Sequence, residues 1–121
     1  MATRDPLITR PGPSFSLQVA TWSGLLNGDT GNAFEFTDWA DRCFQVSGTF
    51  GVGGNLLIEG SNDGTNWNTL SDGTGAALGT VTAAALKQIT EAPRFARPRV
   101  SAGDGTTNLT VVLMARRNFK M

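Results

Sequence analysis

The stretch from Asn55 to Leu70 constrains the fold more than any other part of this 121-residue chain. An apolar run ends at Gly60, a cluster of turn-forming residues follows, and a second short run begins at Trp67. Two such runs joined by Asn, Asp and Gly are typical of a β-hairpin, because these residues tolerate the positive φ angles of a tight turn. The stretch therefore predicts two paired antiparallel strands, with the other strands added on either side.

Further segments alternate between apolar and polar residues, which indicates half-buried strands separated by turns. The pattern predicts an all-β fold of about eight short strands, an antiparallel two-sheet sandwich that is jelly-roll-like or immunoglobulin-like. Residues 95–101 are predicted to form an edge strand because Pro98 cannot donate a ladder hydrogen bond. Residues 102–107 predict a second hairpin turn. The last strand, residues 109–116, is apolar on both faces, which predicts burial on both sides.

Three prolines within the first 13 residues interrupt regular helix and central strand. Residues 1–13 are therefore predicted to be an extended N-terminal arm that is held against a neighbouring subunit. Residues 14–117 are predicted to form the β-sandwich domain, and residues 118–121 a basic C-terminal tail.

The composition argues against catalysis. The chain has no histidine and a single cysteine, Cys43, so it lacks the usual base of nucleophilic catalysis and the usual ligands of zinc. A lone cysteine forms no intramolecular disulfide, and Cys43 is predicted to be buried and inert. We expect a protein that is not an enzyme and that has no cofactor and no metal ion.

Oxygen ligands in loops leave calcium as a question. Asn62, Asp63, Asn66, Asp72 and Asp104 all lie in turns and could supply such ligands. The alternating acids of a calcium-binding loop are missing, however, and Asn or Asp in a turn usually accepts hydrogen bonds from its own backbone. These residues are therefore predicted to stabilise turns.

Ten basic and ten acidic residues balance, which argues against nucleic acid as a partner. The charge is uneven along the chain: residues 1–60 carry three basic and six acidic residues, and residues 61–121 carry seven and four. The N-terminus does not resemble a signal peptide, and no apolar run reaches the length of a membrane helix. We expect no membrane partner and assembly in a host cytoplasm.

Arginine outnumbers lysine eight to two, and arginine suits bidentate pairing with carboxylates at protein interfaces. The arm, the arginine-bearing strand near residue 97 and the basic tail are predicted to adhere to neighbouring subunits. The candidate interface residues are Arg4, Leu7, Ile8, Arg10, Arg94, Arg97, Arg99, Arg117 and Phe119.

The tryptophans leave a second function open. Trp67, at the end of a strand, is predicted to fill the core. Trp22 and Trp39 lie at loop positions, where burial in the core is again favoured, but exposed aromatic rings there would stack on sugar rings. The alternative function is therefore a carbohydrate-binding module.

Four sequence blocks, taken in order, resemble small virion proteins of tailed bacteriophages, and most closely the head decoration, or cement, class. The blocks lie within residues 42–116 and are QVSGTF at 45–50, IEGSNDGTNW at 58–67, PRFARPRV at 93–100 and GDGTTNLTV at 103–111. The resemblance implies a β-sandwich that coats the capsid surface as homodimers or homotrimers, bridges neighbouring major capsid protein subunits and catalyses no reaction. Similar sandwiches also occur in phage tail and fibre proteins, where the carbohydrate-binding alternative belongs.

Overall fold

Alternating side chains and frequent turns produce only strands in the described part of the chain. A computed structural model describes residues 2–10, 17–35 and 39–117, which contain eleven strands. No helix in these ranges is long and apolar enough to cross a membrane. The strands are β1 (Thr3–Arg4), β2 (Leu7–Thr9), β3 (Leu17–Leu25), β4 (Thr30–Gly31), β5 (Phe34–Glu35), β6 (Asp41–Thr49), β7 (Asn55–Ser61), β8 (Asn68–Thr69), β9 (Ala85–Gln88), β10 (Phe95–Ala102) and β11 (Asn108–Arg116).

The strands form two sheets. The six-stranded sheet has the order β1, β4, β10, β7, β8, and β5 also pairs with β10. The five-stranded sheet has the order β2, β3, β11, β6, β9. Among the strand pairs that the structure describes, β1 with β4 is parallel and the others are antiparallel. The predicted all-β, two-sheet sandwich is confirmed, and the strands outnumber the prediction because five of them have only two or three residues.

A single hydrophobic core joins the two sheets. Trp22 and Phe44 from the five-stranded sheet, and Ile58 and Val100 from the six-stranded sheet, are at most 1% exposed. Burial of each large apolar side chain stabilises the fold by about 1.5–3 kcal/mol. The outward residues of β11 are only half-buried, so the prediction that both faces of this strand are buried is wrong for its outer face.

The central hairpin is confirmed. β7 and β8 pair with Glu59 opposite Thr69 and Gly60 opposite Asn68. Gly64 in the connecting turn has a φ angle of 77°, a left-handed conformation that glycine adopts without steric cost. The turn chemistry of this stretch therefore predicted both the turn and the pairing.

The second predicted hairpin is wrong. Residues 103–107 do form a turn, in which Thr107 N donates to Asp104 O at 3.2 Å. The strands on either side, β10 and β11, belong to different sheets. The turn therefore carries the chain from one sheet to the other. Val100 before the turn and Leu109 after it face the core from opposite sides.

Pro98 lies inside the six-stranded sheet and not at its edge. β10 pairs with β7 along one side, and on the other side it pairs with β4 at Arg99 and with β5 at Phe95 and Ala96. Pro98 lies between these two short pairings, where the ladder is interrupted. The edge-strand prediction is therefore wrong, because a gap between two short strands tolerates a missing N–H as well as an edge does.

Gly31 in β4 leaves room for the Pro98 ring. A Cβ atom at Gly31 would lie 2.6 Å from Pro98 Cδ and 2.8 Å from Trp22 Nε1. Gly31→Ala forces these rings to move, so we expect the free energy of unfolding to fall by about 1–3 kcal/mol in chemical denaturation. Gly105→Ala is the control, since nothing lies within 4 Å of a Cβ there. Equal losses in the two variants would contradict the steric explanation.

Residues 2–10 belong to both sheets. β1 pairs with β4, and β2 pairs with β3. Ala2 N donates to Asp29 Oδ1 at 2.9 Å, and Arg4 Nε donates to Asp29 Oδ2 at 3.1 Å. These residues thus pair with their own domain, and the predicted contact with a neighbouring subunit stays a prediction. The predicted end of the arm and the predicted C-terminal tail lie outside the described residues.

Candidate interaction surfaces

The outer surface of the six-stranded sheet carries an ordered cluster of charged residues. Side chains alternate along β10, so Phe95, Arg97 and Arg99 point away from the core while Ala96 and Val100 are buried in it. We call the outward surface around these residues the arginine face. It comprises Glu35, Glu59, Trp67, Arg94, Phe95, Arg97 and Arg99.

Glu59 is the centre of the arginine face. β7 and β10 place it directly opposite Arg97, and its Oε1 lies 3.1 Å from Arg97 Nε while its Oε2 lies 3.3 Å from Arg99 Nε. Glu59 is 6% exposed. A carboxylate that is buried to this extent needs partners that compensate its charge, and the two guanidinium groups do so here. One carboxylate thereby fixes two arginine side chains at the surface.

Aromatic rings complete the arginine face. The Arg97 guanidinium lies 3.9 Å from the centroid of the Trp67 ring, and the Arg94 guanidinium lies 4.8 Å from that of Phe95. Arg94 Nε also pairs with Glu35 Oε2 at 3.1 Å, at a well-exposed position. Three arginines against two glutamates leave one net positive charge on a surface whose side chains are held in place.

Core burial, which the sequence favoured for all three tryptophans, is confirmed for Trp22 and Trp39 and wrong for Trp67. Trp22 is fully buried and donates from Nε1 to Asn32 O at 2.9 Å. Trp39 is 8% exposed. Trp67, predicted to fill the core, is half-buried on the arginine face. Neither Trp22 nor Trp39 therefore offers the flat ring that the carbohydrate-binding alternative required.

Two other predicted interface arginines surround Trp39. The Arg10 guanidinium lies 5.7 Å from the centroid of this ring, and the Arg117 guanidinium lies 4.5 Å from it. Each guanidinium is within the range of a cation–π contact. Arg10, which follows β2, and Arg117, which follows β11, thus meet at one tryptophan ring.

The apolar candidates lie on the other sheet. Leu7 in β2 is 67% exposed and Ile8 is 41% exposed. Leu7 is opposite Thr21 and Ile8 opposite the buried Ala20, so Leu7 points outward and Ile8 toward the margin of the core. Phe119 lies outside the described residues. The structure therefore does not gather the predicted interface residues into one surface.

The turn aspartates accept hydrogen bonds from their own loops, as the sequence predicted. Asp63 Oδ1 accepts from the backbone N–H groups of Thr65 and Asn66, both at 2.8 Å. Asp104 Oδ1 accepts from Thr106 N in its own loop at 2.8 Å, and its Oδ2 also accepts from Val52 N in another loop at 2.8 Å. Within the described ranges, no group of three or more His, Cys, Asp or Glu side chains could hold a metal ion.

These hydrogen bonds make the fold sensitive to acid. Hydrogen bonds from Thr106 and Val52 hold the pKa of Asp104 at about 2, and backbone hydrogen bonds from Asn66 and Thr65 lower the pKa of Asp63. Burial opposes ionisation of Asp29, but hydrogen bonds from Leu26, Arg4 and Ala2 outweigh it and lower its pKa as well.

We expect the melting temperature to fall in acid and to change little between about pH 5 and 7. A carboxylate with a lowered folded pKa stabilises the fold above its unfolded pKa, about 3.9 for Asp, and this stabilisation is lost as the pH falls toward the folded pKa. The chain has no histidine to titrate between about pH 5 and 7. Thermal melts should give a plateau there and a decline from about pH 4 to 2. A decline that is complete above about pH 5 would contradict this explanation.

Sequence reasoning identified the arginines of the arginine face but missed their partners. The alternation of β10 places Arg97 and Arg99 on one side. Glu59 and Trp67 were missed because they meet these arginines only through the β7–β10 register and the fold of the central hairpin. The signal in the sequence was Glu59 itself, a glutamate at the end of an apolar run where a buried charge would need a partner.

The fold is also found in a protein encoded by a prophage. The crystal structure of the SPBc2 prophage-derived protein YomS superposes with a TM-score of 0.63 at 9% sequence identity, over 82% of this chain and 93% of YomS. The chain shares its fold with YomS. At this identity the similarity shows the fold alone.

The other comparisons add nothing to this finding. The capsular polysaccharide assembling protein CapF from Staphylococcus aureus superposes with a TM-score of 0.40 at 12% identity, over 86% of this chain and 23% of CapF. A TM-score this low does not show a shared fold. No protein-family model matches the sequence, and no curated protein matches it.

Proposed function

We propose that this chain is a virion structural protein that binds the outside of an assembled phage head and stabilises it by bridging neighbouring major capsid subunits. The observation that carries the proposal is the arginine face, where arginine side chains are held by glutamates and by aromatic rings. The fold shared with a prophage-derived protein and the sequence blocks that resemble decoration proteins support the same function. Neither catalysis nor a cofactor is part of the proposal.

The arginine face has the chemistry of a docking surface. Arginine and tryptophan are enriched among the residues that dominate binding energies at protein interfaces. Arg97 is held between Glu59 and the Trp67 ring, so little side-chain entropy is lost when a partner binds. Fixed guanidinium groups donate to carboxylates and backbone carbonyls. The expected partner surface is therefore a shell subunit that presents such acceptors.

The rest of the candidate set contributes in different ways. Arg94 extends the arginine face beyond the Glu59 pair, at an exposed position where its guanidinium reaches a partner. Arg4 is at the edge of the same sheet and pairs with Asp29, so it holds β1 in place. Arg10 and Arg117 stack on Trp39, where they extend the basic surface around the end of the sandwich.

A head-stability assay tests the proposal. Heads of the phage that encodes this chain, assembled without it, are heated with and without the purified protein, and disruption is followed by light scattering. Binding to the assembled shell but not to its dissociated subunits stabilises the shell by mass action, so the disruption temperature should rise and then saturate. Purified tails are the control. Unchanged heads would refute the proposal, and binding to tails alone would place the protein in the tail.

A further inference from the structure

A cavity of about 310 Å³ opens on the arginine face, where the ladder beside β10 is interrupted. β10 pairs with β4 at Arg99 and with β5 at Phe95, and residues 32 and 33 lie between these two pairings and outside both strands. Residues of this gap and of the central hairpin line the cavity together. We call it the Trp67 cavity, and its lining includes Thr3, Thr30, Asn32, Trp67, Phe95 and Arg97.

Side chains that line the Trp67 cavity are held in place. Asn32 Nδ2 donates to Asp5 Oδ1 at 2.8 Å, which fixes the amide at one side of the opening. The Arg97 guanidinium is held by Glu59 Oε1 at 3.1 Å and lies 3.9 Å from the centroid of the Trp67 ring. A ligand therefore meets a cavity that already has its shape, so little entropy is lost in ordering the lining when the ligand binds.

The hydrogen-bonding groups that remain unused at Arg97 and Trp67 are donors. Arg97 donates from Nε to Glu59, and within the described residues neither its Nη groups nor Trp67 Nε1 donates to an acceptor. Arg97 is also the only charged side chain among the described residues of the lining. Because Arg97 and Arg99 share the single charge of Glu59, a positive charge remains. A carboxylate complements it, since its two oxygens match the planar donors of a guanidinium group.

The volume of the Trp67 cavity limits the size of the ligand. Pockets that bind small molecules measure about 300–1,000 Å³, so this cavity has room for one side chain but not for a folded segment. We propose that it receives an aspartate or glutamate side chain of a shell subunit, an inference that rests on the function proposed above. The carboxylate accepts from Arg97 and Trp67 Nε1, and the Phe95 ring contacts its methylene groups. One inserted side chain thereby becomes the hot spot of the interface.

Nuclear magnetic resonance on the purified protein tests the ligand class without heads. The probe is N-acetyl-glutamate α-amide, and the control probe is N-acetyl-glutamine α-amide, which has the same shape but no charge. The glutamate probe should shift the Nε1–H signal of Trp67 with a dissociation constant of about 1–10 mM. The glutamine probe should bind at least about tenfold more weakly. The Trp67 signal is identified as the one that a Trp67→Phe variant lacks.

A pair of arginine variants locates the binding site. Arg97→Gln removes the charge of the cavity and should weaken binding of the glutamate probe at least about tenfold. Arg116→Gln is the matched control, because it removes the same charge from an exposed position in the five-stranded sheet and should change the affinity less than about twofold. The comparison of the two probes uses the unmodified protein, so it decides the ligand class even if Arg97→Gln does not fold.

Three results with the probes would overturn the inference. They are equal binding of the two probes, no shift of the Trp67 signal up to about 50 mM of either, and tighter binding of methyl glucuronide than of the glutamate probe. The last result would assign the cavity to an acidic sugar.

Binding to heads separates this inference from the proposed function. Arg97→Gln should bind heads at least about tenfold more weakly than the unmodified protein. If the variant kept full affinity, the cavity would not be the anchor, and the proposed function would stand. If the unmodified protein did not bind heads although the glutamate probe bound as expected, the proposed function would fail, and with it the shell as the source of the carboxylate.

Discussion

Replacing Asp29 by alanine is expected to lower the free energy of unfolding by about 3 kcal/mol, which corresponds to a melting temperature roughly 10 °C lower. The buried Asp29 carboxylate accepts hydrogen bonds from Ala2 N, Arg4 Nε and Leu26 N, at 2.9–3.1 Å. It therefore joins β1 to the turn before β4. Without this carboxylate, the three donors lose a charged acceptor. β1 then remains paired with β4 through only two residues.

The consequence for the N-terminal segment is measurable by limited proteolysis. Trypsin should cleave after Arg4 in the Asp29→Ala variant but not in the unmodified protein, because a paired strand does not fit a protease. Asp5→Ala is the matched control: Asp5 accepts one exposed hydrogen bond, from Asn32 Nδ2 at 2.8 Å, so its loss should cost less than about 0.5 kcal/mol. If both variants melted and resisted trypsin alike, Asp29 would not anchor the segment.

Replacing Trp67 by alanine is expected to weaken binding to heads by about 2 kcal/mol or more, a loss of roughly 30-fold in affinity. The ring lies 3.9 Å from the Arg97 guanidinium, so its removal takes away contact area and frees the arginine at the same time. The cation–π contact is worth only about 1 kcal/mol to the fold itself. The variant should therefore remain folded while its affinity for heads falls.

A binding titration with a folding control separates these two effects. The affinity for heads is measured by sedimentation with increasing protein, and the free energy of unfolding by urea denaturation. Val52→Ala removes a more exposed apolar side chain elsewhere and should leave both quantities unchanged. A Trp67→Ala variant that bound heads with full affinity would remove the arginine face from the proposed interface.

The features that the sequence predicted correctly are those that depend on residues close together in the chain. The turn at residues 62–64 follows from local conformational preference and was found as predicted. The turn at residues 102–107 was also found, but the strands beside it do not pair. Turn chemistry specifies a change of direction, whereas the choice of partner strand depends on which apolar faces meet across the core.

The candidate surfaces could be predicted only in part for the same reason. Alternation placed Arg97 and Arg99 on one side, but their partner Glu59 lies 38 residues before Arg97 in sequence. Trp22 was assigned to a loop because the residues after it are rich in glycine, yet β3 continues to Leu25. Long-range register decides which side chains meet, and a single sequence does not reveal it.

Binding to assembled heads tests the central claim most directly. Purified protein is mixed with heads that lack it, the heads are sedimented, and the bound protein is counted per major capsid subunit. The proposed function predicts saturation at a fixed ratio to that subunit, with the Trp67→Ala variant remaining largely in the supernatant. If the unmodified protein stayed in the supernatant at every concentration, the protein would not be a shell-binding component of the virion.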